Sequence, residues 1–145
     1  MKLREAINTK KQGDIGLGIA ISYFASQGLT VCIPLTDSQD YDLIVDRGDR
    51  LVRVQVKTVF RKSIYGRYVV TLRTRGGNRS GAGKTKFFDQ QKCDELFVYA
   101  DTGEIYLIPV NCIACRSTIT LGEKWKQFRV GGAEWRLQQT VNLSS

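Results

Sequence analysis

Histidine is absent from this 145-residue chain. That removes Ser-His-Asp and Cys-His hydrolases, His-ligated zinc, and any catalyst that relies on a histidine base. Chemistry near neutral pH then falls to carboxylates, lysine or a metal-activated water. The opening segment MKLREAINTKKQGD has no apolar core, so it does not read as a signal peptide. No run of about 18 apolar residues marks a membrane span. Cysteine is scarce, with 4 residues and no secretory context. Free thiols in a reducing cytoplasm are expected.

What is present is ordinary globular composition, 42% hydrophobic and 25% charged. That supports one domain over residues 1–145 and is too short for two comfortable ones. Basic residues outnumber acidic ones 22 to 14, a net charge of +8 and a pI near 9.5. Such a surplus suggests a polyanionic partner and says nothing about fold.

Residues 1–12 read as a basic arm or a short helix. Residues 14–27 fit either strand or helix spacing. Their length and the Gly28 stop favour helix. Gly16 and Gly18 oppose it, each costing about 1 kcal/mol relative to Ala. Strands are expected at Thr30–Pro34, Tyr41–Asp46, Leu51–Thr58 and Arg67–Leu72. A hairpin follows, Leu96–Tyr99 with Ile105–Ile108, then a short apolar turn (Val110–Cys115) and a strand-like Thr118–Leu121. A basic and aromatic tail occupies 122–145. Helix first and mostly strands afterwards indicates an α/β (α+β) domain with a mixed central β-sheet flanked by helices.

The informative segment is YDLIVDRGDRLVRVQVKT, residues 41–58. With Gly48-Asp49 as a two-residue hairpin loop, Asp42 faces Gln55. Strand alternation puts Leu51, Arg53, Gln55 and Lys57 on one face, and Val52, Val54 and Val56 on the core face. A carboxylate, an amide oxygen and an ammonium thus gather on one surface. Asp42, the Gln55 amide and the backbone carbonyl of Val56 offer oxygen ligands to a hard cation such as Mg²⁺. The cation would activate water without histidine. Lys57 would orient that water or stabilise charge on a phosphorane-like transition state. The plain alternative is an exposed Asp–Lys pair on a solvated sheet face, worth about 0–1 kcal/mol.

An Asp, a hairpin, then (Asp/Glu)-x-Lys resembles the signature of the PD-(D/E)XK nuclease superfamily. Here it reads Asp42 … Gln55-Val56-Lys57, with Gln in place of the second acid. Gly13-Asp14-Ile15-Gly16, Ile33-Pro34-Leu35 and Tyr41-Asp42-Leu43 are similar to the branch that contains intron-encoded homing endonucleases, which carries the same Gln-x-Lys variant. The likeness covers about residues 10–60. It implies a restriction-endonuclease-like core, with Asp42, Gln55 and Lys57 as active-site residues. It also implies a Mg²⁺-dependent endonuclease acting on double-stranded DNA as a homodimer or homotetramer. Many members add a Glu from the first helix, where this chain has Leu17. Asp14 stands three residues earlier, as a substitute metal ligand or as a helix N-cap. The rivals are a junction-resolving or repair nuclease on the same fold, and a catalytically inactive DNA-binding module.

Arg53, Arg73, Arg75, Arg79, Lys84 and Lys86 are candidate phosphate contacts, most of them on the Gly-rich loop 73–86. The alternative is a solvated basic loop. Gly81-Ala82-Gly83-Lys84-Thr85 resembles a phosphate loop, but Asn78 occupies the place of its first Gly. Cys112-x-x-Cys115 is half a zinc site without a second half, and structural thiols are the better reading. Trp125 and Trp135 are read as core residues rather than DNA contacts.

Overall fold

The computed structural model describes residues 8–75 and 85–132. One α-helix, α1 (Thr9–Ser26), opens it. Its N-cap is Asn8, whose side chain accepts the Lys11 N–H at 2.9 Å. The helix therefore starts earlier than sequence spacing suggests and takes in the end of the basic arm. Gly28 stops it at φ +76°, a conformation that favours glycine. Gly16, Ala20, Tyr23 and Phe24 form the buried face. Tyr23 and Phe24 meet Phe97 at ring separations of 5.6 and 5.8 Å.

Ten short strands follow: β1 (Thr30–Cys32), β2 (Leu43–Asp46), β3 (Leu51–Val59), β4 (Val69–Thr71), β5 (Thr74–Arg75), β6 (Thr85–Lys86), β7 (Glu95–Ala100), β8 (Ile105–Pro109), β9 (Thr118–Thr120) and β10 (Arg129–Gly131). Six of them build the central sheet in the order β1-β2-β3-β7-β8-β10. Every pairing is antiparallel except β3 with β7. The sheet is mixed, as expected, and its β2–β3 register is the anticipated one: Leu43 opposite Val54 through Asp46 opposite Leu51. Gly48, at φ +87°, makes the tight turn possible, and Arg47 N–H donates to Arg50 O at 3.0 Å across it.

Helices do not flank both faces among the described residues. α1 covers one, over Val52, Val54, Phe97, Tyr99 and Ile105. The other is covered by the β4–β9 ribbon and the 3₁₀ turn Glu123–Phe128, whose Trp125 joins one buried cluster with Val98 and Ile108. Trp125 is core, as expected; Trp135 lies outside the described residues. Within the described part of the 122–145 tail, β10 pairs with β8 at the edge of the sheet. Cys112 and Cys115 are free and exposed, while Val110 and Ile113 turn inward from the same segment. Thr85 opens β6, not a helix, so the Gly81–Thr85 run does not lead into a phosphate-loop helix. No helix among the described residues is long and apolar enough to cross a membrane.

Candidate active site

β3 carries two of the three central residues. Val52, Val54 and Val56 turn toward α1 while Val59 joins the core on the other side, so Gln55 and Lys57 project from the face opposite α1. Asp42 stands just before β2, where the antiparallel pairing stops. Its N–H donates to Val54 O at 2.8 Å. Its carboxylate Oδ2 then accepts the Val56 N–H at 2.7 Å. The side chain thus takes the place of the next backbone partner along β3, and the carboxylate is fixed between Gln55 and Lys57.

The charges of Asp42 and Lys57 depend on one another. Asp42 is exposed as a residue, yet its carboxyl lies against β3. Burial raises its pKa, opposed by the Val56 N–H and by Lys57. Burial lowers the pKa of the Lys57 ammonium, opposed chiefly by Asp42. Lys57 opens into a cleft of about 420 Å³ lined also by Thr9 and Gln12 of α1, Arg61, and Thr71 of β4. Gln55 points into a nearly filled space bounded by Asp40, Leu72, Phe88 and Cys93. There its Oε1 is buried without a hydrogen-bond partner.

An orphaned buried acceptor costs about 1–3 kcal/mol. Asp40, rather than Asp42, borders the same space. No group of three or more Cys, Asp or Glu side chains gathers among the described residues. The donor set is one carboxylate, one amide oxygen and the Val56 carbonyl on the strand edge. That set fits a hard divalent ion that keeps several waters.

Other expected residues sit elsewhere. Asp14 is exposed inside α1. At about 100° per residue it points away from the Gly16–Ala20 face that meets the sheet. It is neither the cap, which is Asn8, nor placed to join Asp42. Leu17 packs in the helix-side core. The helix reaches the cleft through Thr9 and Gln12, which sequence reasoning missed. Gln12 lies four residues before Gly16, so the spacing of the buried face was the available signal.

Arg53 is not free for DNA. Its guanidinium binds Asp94 through Nε at 3.1 Å and Nη2 at 3.0 Å, and Nη1 donates to Gln91 O at 3.0 Å. Lys86 pairs with Asp40. Arg73 is exposed, and Arg75 lies in β5. Arg79 and Lys84 fall outside the described residues. A larger cleft of about 530 Å³, at Arg67, Tyr106 and Lys126, contains none of the expected residues and has Glu104 and Glu123 in its walls. The candidate site is therefore the Asp42–Lys57 end of β3.

A mixed sheet that brings Asp, Gln and Lys together at the end of a β-hairpin defines a nuclease scaffold. The sequence profile described as PD-(D/E)XK endonuclease matches residues 7–136, and the chain belongs to that family. Among solved structures it is similar to a bacterial homing endonuclease, I-Ssp6803I. The TM-score is 0.71 with 28% identity, over 96% of this chain and 98% of that one. A comparison with curated proteins finds no match.

Proposed function

We propose that the chain is a Mg²⁺-dependent endonuclease that hydrolyses phosphodiester bonds in double-stranded DNA at specific sites, as a homing-type enzyme. The observation that carries this reading is the Asp42 carboxylate fixed on the Val56 N–H and electrostatically coupled to Lys57, with the Gln55 Oε1 buried without a partner on the residue between them in β3. Asp42 Oδ atoms, Gln55 Oε1 and the Val56 carbonyl would hold the ion. When bound, it supplies Lewis acidity and lowers the pKa of a water ligand. Lys57, its pKa lowered by burial and supported against that by Asp42, orients the attacking water and stabilises negative charge on the phosphoryl oxygens. The solved homing endonuclease and the net charge of +8 support DNA as substrate.

Cutting both strands takes two such sites, so a homodimer or homotetramer is the working assembly. The test is conversion of supercoiled plasmid with Mg²⁺ against an EDTA control, with the ends sequenced. Asp42→Ala should bind DNA and fail to cut it. An Asp42→Ala protein that cuts like the parent overturns the site. The lone carboxylate also favours a second reading, an inactive DNA-binding module. Binding without cleavage under any divalent ion would establish that reading. Preference for four-way junctions over linear duplex would redirect the assignment to junction resolution.

A further inference from the structure

Beyond Lys57 the chain runs straight into a second hairpin, Phe60-Arg61-Lys62-Ser63-Ile64-Tyr65-Gly66-Arg67-Tyr68. Its tip is firmly built. Ser63 N–H donates to Arg67 O at 2.7 Å, and Gly66 N–H to Ser63 O at 2.9 Å. Ser63 Oγ accepts the N–H groups of Tyr65 and Arg67, each at 3.3 Å. Gly66 supplies the φ of +75° that the turn needs. At the base, buried Tyr68 donates to the Asp101 carboxylate, which ties the hairpin to the β7–β8 turn.

This rigid tip holds two large apolar side chains out in water. Ile64 is 91% exposed and Tyr65 83%. Exposed Arg61, Lys62 and Arg67 belong to the same hairpin, which has no acidic residue between positions 60 and 68; the Lys62 ammonium lies 4.9 Å from the centre of the Tyr68 ring at the base, and the Arg67 guanidinium lies beside Gly122 with Glu123 nearby. Apolar wedges framed by cations are how architectural proteins enter the minor groove, unstack a base step and kink the duplex. The same hairpin lines the Lys57 cleft through Phe60 and Arg61. Eight residues of strand reach at most about 26 Å, less than one turn of B-DNA. A tip-to-tip contact between two copies would instead press six hairpin cations together, which disfavours a second copy as the occupant.

We propose that the 60–68 hairpin is a DNA-bending wedge. Ile64 enters a base step within one helical turn of the scissile phosphate, Tyr65 lies along the neighbouring sugar, and the three cations hold the flanking phosphates. This rests on the reading of DNA as substrate. It adds specificity for easily deformed pyrimidine–purine steps at positions that no side chain reads by hydrogen bonds.

The test uses the full chain in EDTA at low salt with an end-labelled duplex of about 25 bp, within reach of sequence-independent binding. Anisotropy reports binding and energy transfer between the ends reports bending. The parent should bind and raise transfer. Ile64→Ser/Tyr65→Ser, a surface change checked by thermal melting, should still bind and lose the rise. Lys62→Ala should keep the rise and lower the salt slope by about one. A rise that persists in the double variant, or a parent that binds without bending, overturns the wedge and leaves the DNA reading standing. A parent that does not bind DNA at all overturns both. A double variant that changes oligomeric state by light scattering assigns the tip to a copy of this chain.

Discussion

Two glycines two positions apart on α1 should respond to the same substitution with opposite sign. Gly18 is exposed, and a Cβ built there meets nothing within 4 Å. Gly18→Ala then gains helix propensity alone, about 1 kcal/mol, or roughly 3–5 °C in Tm for a domain of this size. A Cβ at Gly16 would stand 1.8 Å from Thr58 Oγ1 and 3.1 Å from Thr58 Cβ. Rotating Thr58 does not relieve the second contact, and β3 cannot retreat without its neighbours in the sheet. Overpacking of this kind costs about 1–3 kcal/mol. The overlap of more than an ångström puts Gly16→Ala in the upper part of that range, a net loss of about 1–2 kcal/mol after the propensity gain. Thr58 Oγ1 is itself buried without a partner, so Thr58→Ala should be close to neutral alone. In the double variant most of the Gly16→Ala loss should disappear, with a coupling energy of about 1–2 kcal/mol. Urea melts of the four proteins measure all of this. Gly16→Ala as stable as Gly18→Ala, or equally harmful with and without Thr58, would refute the packing argument.

Other outcomes follow from the site and its surroundings. Gln55→Glu adds a second carboxylate beside Asp42, so isothermal titration should show tighter Mg²⁺ binding; an unchanged affinity would remove Gln55 from the ion's shell. Arg53 holds the Asp94 carboxyl below the usual carboxylate range, so this pair's stabilisation is complete above about pH 4 and fades as pH falls through the folded value. The destabilisation by Asp94→Asn should therefore shrink between about pH 6 and pH 3 in urea melts. Burial pushes the Cys93 thiol up to about 11. The folded state keeps that proton where the unfolded chain loses it, so stability should fall as pH rises from about 9 toward 11. Exposed Cys115, its thiol lowered mainly by the Ser117 backbone N–H, should be the first cysteine alkylated and Cys93 the last, as mass spectrometry of timed digests would show.

The β2–β3 hairpin was legible because its signals are local. Alternating valines fix the faces, and a two-residue Gly-Asp loop fixes the register that sets Asp42 opposite Gln55. Gly16 looked like a flaw in a helix because its reason, Thr58, lies far along the chain. Asp14 misled for a related cause: acidic side chains favour helix starts, but Asn8 had already supplied the cap, hidden among basic residues. Arg53 read as a free cation because its partner Asp94 arrives only through the parallel β3–β7 pairing. Non-local pairing leaves no periodic trace in a single sequence. The pairing of β4 with β9 across the second sheet face escaped for the same reason.

The one parallel seam, β3 against β7, has a consequence for how this scaffold changes. Between its two strands lie residues 60–94, whose described strands β4, β5 and β6 stand outside the central sheet. The closure entropy of such an excursion grows slowly, about 0.6 kcal/mol per doubling of length. The excursion is also part of the core: Tyr68, Val70, Leu72, Phe88 and Cys93 are buried with Val59 of β3 and Val98 of β7. Its described residues wall both clefts beside the candidate site, Val69 and Thr71 next to Lys57 and Leu72 and Phe88 next to Gln55, so a change in its length or sequence would re-shape those clefts while the β3–β7 register stays in place.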